Sequence, residues 1–509
     1  MMVVAASRFS VAFVRQKWQF QTVQDISRSQ DAYSYVFYCS MQDRRDVQSL
    51  GVERAVMGQG DGSGATGRSR TRRGSWRLAA AMLLLTAIFL MNACATNPAV
   101  LRAEPAVLAQ ADQRGPTSTK STLLYPRHYG RQRVQTLSEY VDQMISRMSV
   151  NDELGQLFVA EFTGTDFNGN NAAMIEQMHP GGIILYAFSM QKAKDTQALI
   201  RSAQVNSRIP LFVTVDEEGG CVDRLNQIYP PRPGEPEIGA TGSTQYAYQQ
   251  GAKTAQDMTA LGLNVNLAPD VDVKLVEGRD LLCRTFGSTP GLVTKMSEAY
   301  LDGLQDNGVV GTLKHFPGLG DALEDAHLSL PVIKRTRSQV ESVELAPYRA
   351  LIDNGKAQMV MTTDLLMPAF DPVLPAELSP SIITGVLRSE LGFDGVVMTD
   401  ALYMAGISNK WSMPQAGVMA IEAGCDMLLG PWNVSQMRDM FVALQRAMKS
   451  GTITKARLDQ SVRRILTLKM RMGLIPLPAS SQSLRSSVPP IGSMTLRFSD
   501  SPVADVPNR

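Results

Sequence analysis

Residues 314–327, KHFPGLGDALEDAH, gather the side chains that proton transfer requires. Two of the four histidines of the chain lie here, with one lysine and three carboxylic acids around two glycines. Asp325 and His327 stand two positions apart, so the carboxylate can orient the imidazole and stabilise its charged form. The preceding apolar run, residues 309–313, is typical of a buried strand. Polar groups on a glycine-rich loop after such a strand indicate the active site of an α/β enzyme.

The hydrophobic pattern after about residue 138 predicts the elements that position this loop. Short apolar runs alternate with longer amphipathic segments, as expected for strands that alternate with helices. Eight alternations over about 340 residues predict one (β/α)8 TIM-type barrel, with a doubly wound open sheet as the alternative. The predicted strands are 157–161, 182–186, 211–216, 265–268, 308–313, 359–363, 395–399 and 427–429.

Amphipathic segments between these runs are predicted to be helices. A terminal helix precedes Gly473, a residue type that commonly ends helices. The predicted helices include 193–207, 247–261, 290–306, 337–354, 414–423 and 456–472.

Polar residues follow several of the predicted strands at the end where a barrel builds its active site. They are Asp216, Glu217 and Glu218 after the third strand, Asp270, Asp272 and Arg284 after the fourth, Lys314 and His315 after the fifth, Asp364 after the sixth and Asp400 after the seventh. This mixture suits a polyhydroxylated ligand, whose hydroxyls both donate and accept hydrogen bonds. Glu217 and Glu218 are interpreted as loop-structuring residues, and Asp270 and Asp272 as loop caps.

The composition excludes several classes of protein. Hydrophobic residues make up 44% of the 509 positions and charged residues 19%, which is typical of a globular chain. The net charge is +2, and much of the positive excess lies near the N-terminus, so the body shows no nucleic-acid footprint. The five cysteines form no CxxC pair, which argues against a zinc site and against a dense disulfide framework.

The N-terminal region has the pattern of an export signal. A basic run lies between residues 68 and 77, and an apolar stretch follows at 78–90. This stretch is shorter than the roughly 20 residues of a membrane-spanning helix, but it suits the core of a signal peptide. Residues 90–94, LMNAC, resemble a bacterial lipobox, in which Cys94 would be lipidated. An ordinary secretory signal and a retained membrane anchor are the alternatives.

These patterns predict five segments. Residues 1–56 form a leader of unclear status, because translation could start at Met57. Residues 57–94 are the predicted signal peptide and 95–137 a linker rich in Ala, Pro, Gln, Ser and Thr. Residues 138–476 form the predicted catalytic barrel, and 477–509 a Ser- and Pro-rich tail that is predicted to be disordered.

The stretch at 314–327 resembles the signature of the β-N-acetylglucosaminidase branch of glycoside hydrolase family 3. That signature contains Lys-His, then Pro-Gly, and then Asp-Ser/Thr-His. The resemblance covers about residues 138–475. Its other segments are VDEEGGCVDRL at 215–225, LNVNLAPDVDV at 263–273, CRTFGSTPGLV at 283–293, LSPSIITGVLRSELGFDGVVMTDAL at 378–402 and AIEAGCDMLLGP at 420–431.

The resemblance implies a role for each matching residue. Asp400 corresponds to the catalytic nucleophile, and His327, held by Asp325, corresponds to the general acid/base. It implies neither a metal nor a cofactor. The implied sugar-hydroxyl ligands of the −1 subsite are Asp216, Arg224, Arg284, Lys314 and His315.

The chain departs from the family pattern at three positions. Cys221 replaces an arginine, Ala326 replaces a serine or threonine, and Asp364 stands where histidine is frequent. None of these changes removes an implied catalytic group. Cys221 and Cys283 both fall on predicted mouth loops and could pair in an exported protein.

The implied function is that of an exported, exo-acting, retaining β-N-acetylglucosaminidase. Its substrates would be cell-wall or chitin-type saccharides with terminal β-linked N-acetylglucosamine, cleaved through a covalent intermediate on Asp400. A lipidated Cys94 would tether it to a membrane. The alternatives are a phosphorolytic β-N-acetylglucosaminidase, a β-glucosidase of the same family and a non-catalytic saccharide-binding lipoprotein.

Overall fold

A computed structural model describes residues 136–281 and 283–477 of the chain. Eight parallel strands close into a barrel: β1 Phe158–Glu161, β2 Gly182–Ile184, β3 Phe212–Val215, β6 Val265–Asn266, β7 Val310–Phe316, β8 Met359–Thr362, β9 Val396–Ala401 and β10 Met427–Leu429. Around the barrel they follow the order β1, β10, β9, β8, β7, β6, β3, β2. The predicted (β/α)8 barrel is confirmed, and the open-sheet alternative is wrong.

A short antiparallel hairpin follows β3 at the mouth of the barrel. Its strands are β4 Glu217–Gly219 and β5 Val222–Asp223. The sequence predicts only a loop here. The hairpin brings Glu218 and Cys221 onto an ordered element directly after the third barrel strand.

Helices connect the barrel strands and cover their outer faces. They are α1 Leu137–Ile145, α2 Val150–Gln156, α3 Gly169–Met178, α4 Ala193–Asn206, α5 Glu235–Ala240, α6 Thr244–Leu261, α7 Pro290–Asp306, α8 Arg337–Ser342, α9 Leu345–Asp353, α10 Ala405–Ser408, α11 Met413–Ala423, α12 Val434–Ser450 and α13 Lys455–Arg471. A π-helix, Ser381–Glu390, precedes β9. Two 3₁₀ turns lie at Ala187–Ser189 and Ala376–Leu378.

One predicted helix, 337–354, is divided in the structure into α8 and α9. The break falls at Val343, whose backbone leaves the helical region. Pro347 explains this position, because a proline ring clashes with the carbonyl four residues earlier and its nitrogen cannot donate a hydrogen bond. Pro347 is instead accommodated near the start of α9, where a missing donor costs little.

Strand β7 extends to Phe316, three residues beyond the predicted end. Every residue of β7 is buried, and Phe316 lies opposite Thr362 of β8. Lys314 and His315 therefore belong to the strand and not to the loop that follows it, which corrects the predicted boundary. The polar side chains of a buried strand require partners, and carboxylates at the barrel mouth supply them.

Several predictions concern residues outside the described part of the chain. They are the leader at 1–56, the signal peptide and Cys94, the linker up to residue 135, and the tail beyond residue 477. Within 136–281 and 283–477, no helix combines the length and the apolar sequence that a bilayer crossing demands.

Candidate active site

Lys314 lies at the centre of the mouth and is held by two carboxylates. Its Nζ lies 2.8 Å from Asp216 Oδ1 and 2.6 Å from Glu218 Oε1, while only 1% of the side chain is exposed. Burial disfavours the charge, but Asp216 and Glu218 outweigh this effect and raise the pKa of Lys314 above its usual value. Lys314 is therefore a fixed ammonium group in a water-poor pocket.

Arg284 forms a second fixed cation beside it. Its Nε and Nη2 donate to the two carboxylate oxygens of Glu218 at 2.9 Å each, and Nη1 donates to Asp280 Oδ1 at 2.9 Å. Burial would raise the pKa of Glu218, but Arg284 and Lys314 hold it well below its usual range. Glu218, which the sequence assigns only to loop structuring, thus anchors both predicted sugar ligands.

His315 is held in one tautomer by its neighbours. Its Nε2 lies 3.0 Å from Arg284 Nη2, and its Nδ1 lies 2.8 Å from Asp272 Oδ2. A guanidinium has only donors, so Nε2 accepts from Arg284 and Nδ1 carries the proton that it donates to Asp272. Asp272 also accepts the Leu319 N–H at 2.6 Å, which ties the glycine-rich loop to the strand end.

The loop-cap interpretation of Asp270 and Asp272 is confirmed in one respect and incomplete in another. Asp270 Oδ1 accepts the N–H of Asp272 at 2.9 Å, as a capping aspartate does. The carboxylate of Asp272, however, accepts a hydrogen bond from the His315 ring, and its side chain is buried. It is a positioning residue for a predicted ligand, which the spacing of the two aspartates does not reveal.

Asp325 and His327 form the pair that the sequence predicts. Asp325 Oδ1 lies 2.9 Å from the ring Nδ1 of His327 and accepts its backbone N–H at the same distance. The hydrogen bond to Asp325 raises the pKa of His327 to about 9, against the effect of burial, and the charges of Asp280 and Asp400 add to the rise. The His327 side chain is 59% exposed, so the ring is open to solvent.

Asp400, the predicted nucleophile, lies at the carboxyl end of β9. Its Oδ1 accepts the Ala401 N–H at 2.8 Å, and Thr363 Oγ1 lies 3.4 Å from its Oδ2. Its own N–H donates to Glu377 Oε2 at 3.1 Å. Burial and the neighbouring aspartates Asp364 and Asp400 raise the pKa of Glu377 well above its usual value.

Asp364, the departure from the family pattern, is buried beside Asp400. Burial and the charge of Asp400 raise the pKa of Asp364 well above its usual value. Its Oδ2 packs against Gly406, where an added Cβ would lie only 2.1 Å from that oxygen. The Gly406 N–H donates to the carbonyl of Ala326 at 3.2 Å. Asp364 therefore supports the contact between the His327 loop and α10.

Among the described residues, Arg224 is the one predicted ligand whose side chain makes no hydrogen bond or ion pair with this network. Its backbone N–H donates to Glu217 Oε2 at 2.8 Å, and the described residues offer its buried Nε no hydrogen-bond partner. Glu217 also accepts the Leu225 N–H at 3.0 Å and pairs with Arg232 at 3.2 Å. The loop-structuring interpretation of Glu217 is confirmed, and the role of Arg224 stays a prediction.

Cys221 and Cys283 form a disulfide, with their Cα atoms 6.2 Å apart. The pairing that the sequence leaves open is therefore confirmed. The bond joins the turn of the β4–β5 hairpin to the residue before Arg284. The hairpin that carries Glu218 and the loop that carries Arg284 are thus linked both by a covalent bond and by an ion pair.

Replacing both Cys221 and Cys283 by serine is expected to lower the free energy of unfolding by about 2–4 kcal/mol, because the unfolded chain loses a long-range cross-link. Thermal unfolding with and without reductant measures the effect. Reductant should lower the melting temperature of the wild type and leave that of the double variant unchanged. Equal melting temperatures for the two proteins under oxidising conditions would contradict a stabilising bond.

Within the part of the chain that the structure describes, two groups of residues have the composition of a metal site. Asp270, Asp272 and His315 form one, and Asp280, Asp325 and His327 form the other. In the first group both ring nitrogens of His315 already have partners, Asp272 and Arg284, so a metal would have to displace one of them. In the second group a hydrogen bond already joins Asp325 Oδ1 to His327 Nδ1, so the proton between them occupies the place of a metal.

Several residues of the site were not singled out from the sequence. Asp280 lies in a loop and Glu377 in a 3₁₀ turn, where no pattern marks them. Glu161 ends the first barrel strand, and the strand-end rule applied to the other strands would have found it.

Comparisons with known proteins match the barrel that carries this site. Residues 149–468 match the model of the glycosyl hydrolase family 3 N-terminal domain. The beta-hexosaminidase A of Pseudoalteromonas piscicida is 34% identical over 338 residues, which are 61% of this chain and 56% of that protein. The beta-hexosaminidase of Alkalilimnicola ehrlichii is 33% identical over 282 residues, 54% of this chain and 80% of that protein.

A solved structure gives the same result. The glycoside hydrolase family 3 β-N-acetylglucosaminidase from Paenibacillus sp. str. FPU-7 has a TM-score of 0.62 and 36% sequence identity. The match covers 65% of this chain and 64% of the solved one. The chain therefore spans a little over half of the first of these relatives and somewhat less than two thirds of this structure.

Proposed function

Because this chain belongs to glycosyl hydrolase family 3, we propose that it is a retaining, exo-acting β-N-acetylglucosaminidase. The single observation that carries the proposal is the meeting of three groups at one barrel mouth. They are the Asp400 carboxylate, the Asp325–His327 pair and the cations held around Glu218. A nucleophile, a proton donor and a hydroxyl-binding clamp are the parts that glycoside cleavage with retention requires.

In the first step Asp400 attacks the anomeric carbon while the bond to the leaving oxygen breaks. Oδ2 is suited to attack, because Oδ1 accepts the Ala401 N–H at 2.8 Å, whereas the contact of Oδ2 with Thr363 Oγ1 is longer, at 3.4 Å. His327 gives its proton to the departing oxygen and becomes neutral. Asp325 keeps the donor in its charged form beforehand, since it raises the pKa of His327 to about 9.

In the second step a water molecule attacks the anomeric carbon of the sugar ester on Asp400. The neutral His327 accepts the proton of this water and returns to the imidazolium form. The released sugar keeps its configuration, because the anomeric carbon is inverted twice. Asp325 again stabilises the charge that develops on the ring.

The clamp supports binding of the sugar hydroxyls at low reorganisation cost. Lys314 and Arg284 are buried and paired before any ligand arrives, and His315 is fixed in one tautomer. Asp216, with 18% of its side chain exposed, is left to accept hydroxyl protons at the mouth. Such preorganised polar groups favour binding in one orientation.

An assay of the purified protein with aryl β-N-acetylglucosaminide and aryl β-glucoside tests the proposal. We expect a kcat/KM for the N-acetylglucosaminide at least about 10-fold above that for the glucoside. The two substrates present the same other hydroxyls to the clamp, so the substituent at C2 distinguishes them. NMR should detect the β-anomer of the sugar first. Faster cleavage of the glucoside would favour a β-glucosidase, and a sugar 1-phosphate formed in added phosphate would identify a phosphorylase.

A further inference from the structure

The barrel mouth has two chemically different halves. One half carries the clamp that is proposed to bind sugar hydroxyls. Its residues are Asp216 after β3, Arg284 after β6, and Lys314 and His315 on β7. The opposite half is built by β9, β10, β1 and β2, which are consecutive neighbours in the closed barrel. Its side chains at or just beyond the strand ends are Glu161, Tyr186, Tyr403 and Trp432. Asp400 of β9 also belongs to this half, which is therefore aromatic with two carboxylates.

The aromatic rings of this half contact one another in pairs. Tyr403 packs edge-on against Trp432, with 5.2 Å between ring centroids, and Tyr186 stacks on Phe188 at 5.8 Å. The hydroxyls of Tyr186 and Tyr403 lie 3.4 Å apart. Phe188 is 50% exposed, which is unusual for a phenylalanine that packs on another ring. We call these four rings and Glu161 the aromatic wall.

Glu161 has no counter-ion in this wall. Among residues 136–281 and 283–477, no lysine, arginine or histidine nitrogen lies within ion-pair distance of its carboxylate. Its backbone is fixed, because the Glu161 N–H donates to the carbonyl of Pro431 at 2.9 Å. Burial raises the pKa of Glu161 to about 7, and hydrogen bonding with Tyr403 opposes this rise. A bound cation would stabilise this carboxylate.

The wall lies between the predicted nucleophile and the clamp. Burial raises the pKa of Tyr403 most, and the charges of Glu161 and Asp400 raise it further. Burial likewise raises the pKa of Tyr186, with contributions from the charges of Glu161 and Asp216. The strands β10, β1 and β2 lie between β9, which carries Asp400, and β3, which Asp216 follows, so a sugar bound between these two aspartates would lie beside the wall.

Lys314 and Arg284 cannot neutralise Glu161, because each is already paired with other carboxylates. Lys314 is shared by Asp216 and Glu218, and Arg284 by Glu218 and Asp280. Glu161 and Asp400 are left as carboxylates without an ion pair among the described residues. A cleft with such unbalanced charge attracts ligands of the opposite sign.

We propose that Glu161 and the aromatic wall bind the protonated amine of an amino sugar, so that the substrates include saccharides with de-N-acetylated hexosamine units. The carboxylate supplies the counter-charge and a charge-assisted hydrogen bond, while the faces of the surrounding rings attract an organic ammonium. This inference rests on the proposed function and deepens it. It names the class of saccharide that the same mouth selects.

The test compares wild type with Glu161→Gln, which keeps the side-chain shape and a hydrogen-bond acceptor for Tyr403. The substrates are aryl β-glucosaminide and aryl β-N-acetylglucosaminide, which differ only in the amine of the cleaved sugar. Two disaccharides, GlcNAc-β-1,4-GlcN and GlcNAc-β-1,4-GlcNAc, place the amine in the leaving sugar instead. For one amine-bearing substrate we expect kcat/KM to fall about 10- to 100-fold in Glu161→Gln, and for its acetylated partner less than about 3-fold.

The pair that responds identifies whether the amine lies in the cleaved or in the leaving sugar. Glu176→Gln, an exposed change on α3, is the matched control and should leave all four substrates unaffected. An equal loss with the amine-bearing and acetylated substrates, or no loss with either pair, overturns the proposal.

A binding measurement separates this inference from the proposed function. Calorimetry of Asp400→Asn with glucosamine and with N-acetylglucosamine requires no turnover. We expect the preference for glucosamine to fall about 10-fold or more when Glu161→Gln is added. If the wild type cleaves no glycoside but this shift is observed, the proposed function fails and the amine site stands. If cleavage is observed and the shift is not, the amine site alone fails.

Discussion

Asparagine in place of Asp400 is expected to lower kcat for aryl β-N-acetylglucosaminide by about 10⁴-fold or more, since a neutral amide cannot form the sugar ester. The substitution preserves the acceptor for the Ala401 N–H, so the fold should be retained. Steady-state kinetics with the purified variant measure the loss. Mass spectrometry of the wild type, quenched during turnover of an activated substrate, should find the sugar on the peptide that contains Asp400.

Asp394→Asn is a suitable control for this experiment. Asp394 lies just before the same strand, β9, but 88% of its side chain is exposed and it pairs with Arg464. The control should keep wild-type kcat. Full activity in Asp400→Asn, or a sugar attached to another peptide, would overturn the assignment of the nucleophile.

The second large effect is expected from His327→Ala. Loss of the proton donor should reduce kcat/KM about 10²- to 10⁴-fold for substrates with poor leaving groups. Nitrophenolate departs without protonation, so its glycoside should react nearly as fast in the variant as in the wild type. A series of aryl glycosides with increasing phenol pKa measures this difference. Equal slowing across the series would count against a proton donor at this position.

Asp325→Asn provides the matched test of the pKa. The hydrogen bond to Asp325 raises the pKa of His327 to about 9, so the acid form is lost only as the pH rises through that value. For a poor leaving group, the basic limb of kcat/KM should therefore lie near pH 9 in the wild type. In the variant the limb should move down toward about 6.5, the ordinary value for histidine. An unchanged limb would mean that another group controls it.

The barrel was predictable because its signal is repeated along the chain. Eight apolar runs separated by amphipathic segments admit few folds, and an error in one run leaves the architecture unchanged. The boundaries were less predictable. The strand β7 continues through Lys314 and His315 because Asp216 and Glu218 pair with the Lys314 ammonium group and Asp272 accepts a hydrogen bond from the His315 ring. Such compensation between distant residues has no local signature.

The residues of the site likewise divide into those that the sequence predicts and those that it does not. Lys314, His315, Arg284 and Asp216 were found because they follow strands, and the structure brings them together. The hub role of Glu218 was missed, because a carboxylate that binds two cations has the same sequence pattern as a solvent-exposed loop acid. Glu161 could have been found from its place at the end of the first strand. Its lack of a nearby counter-ion among the described residues, in contrast, is visible only in the folded chain.

The hydrogen bond from Gly406 to Ala326 joins the loop that carries His327 to the helix that follows the Asp400 strand. Asp364 fills the space beneath Gly406, so any side chain at position 406 would displace that carboxyl. The loop of the proton donor and the segment after the nucleophile are therefore held by the same contacts at Gly406. A loop transplanted from a relative to alter leaving-group preference would need its own partners at positions 364 and 406. The His327 loop and the segments around these two positions must therefore be exchanged together.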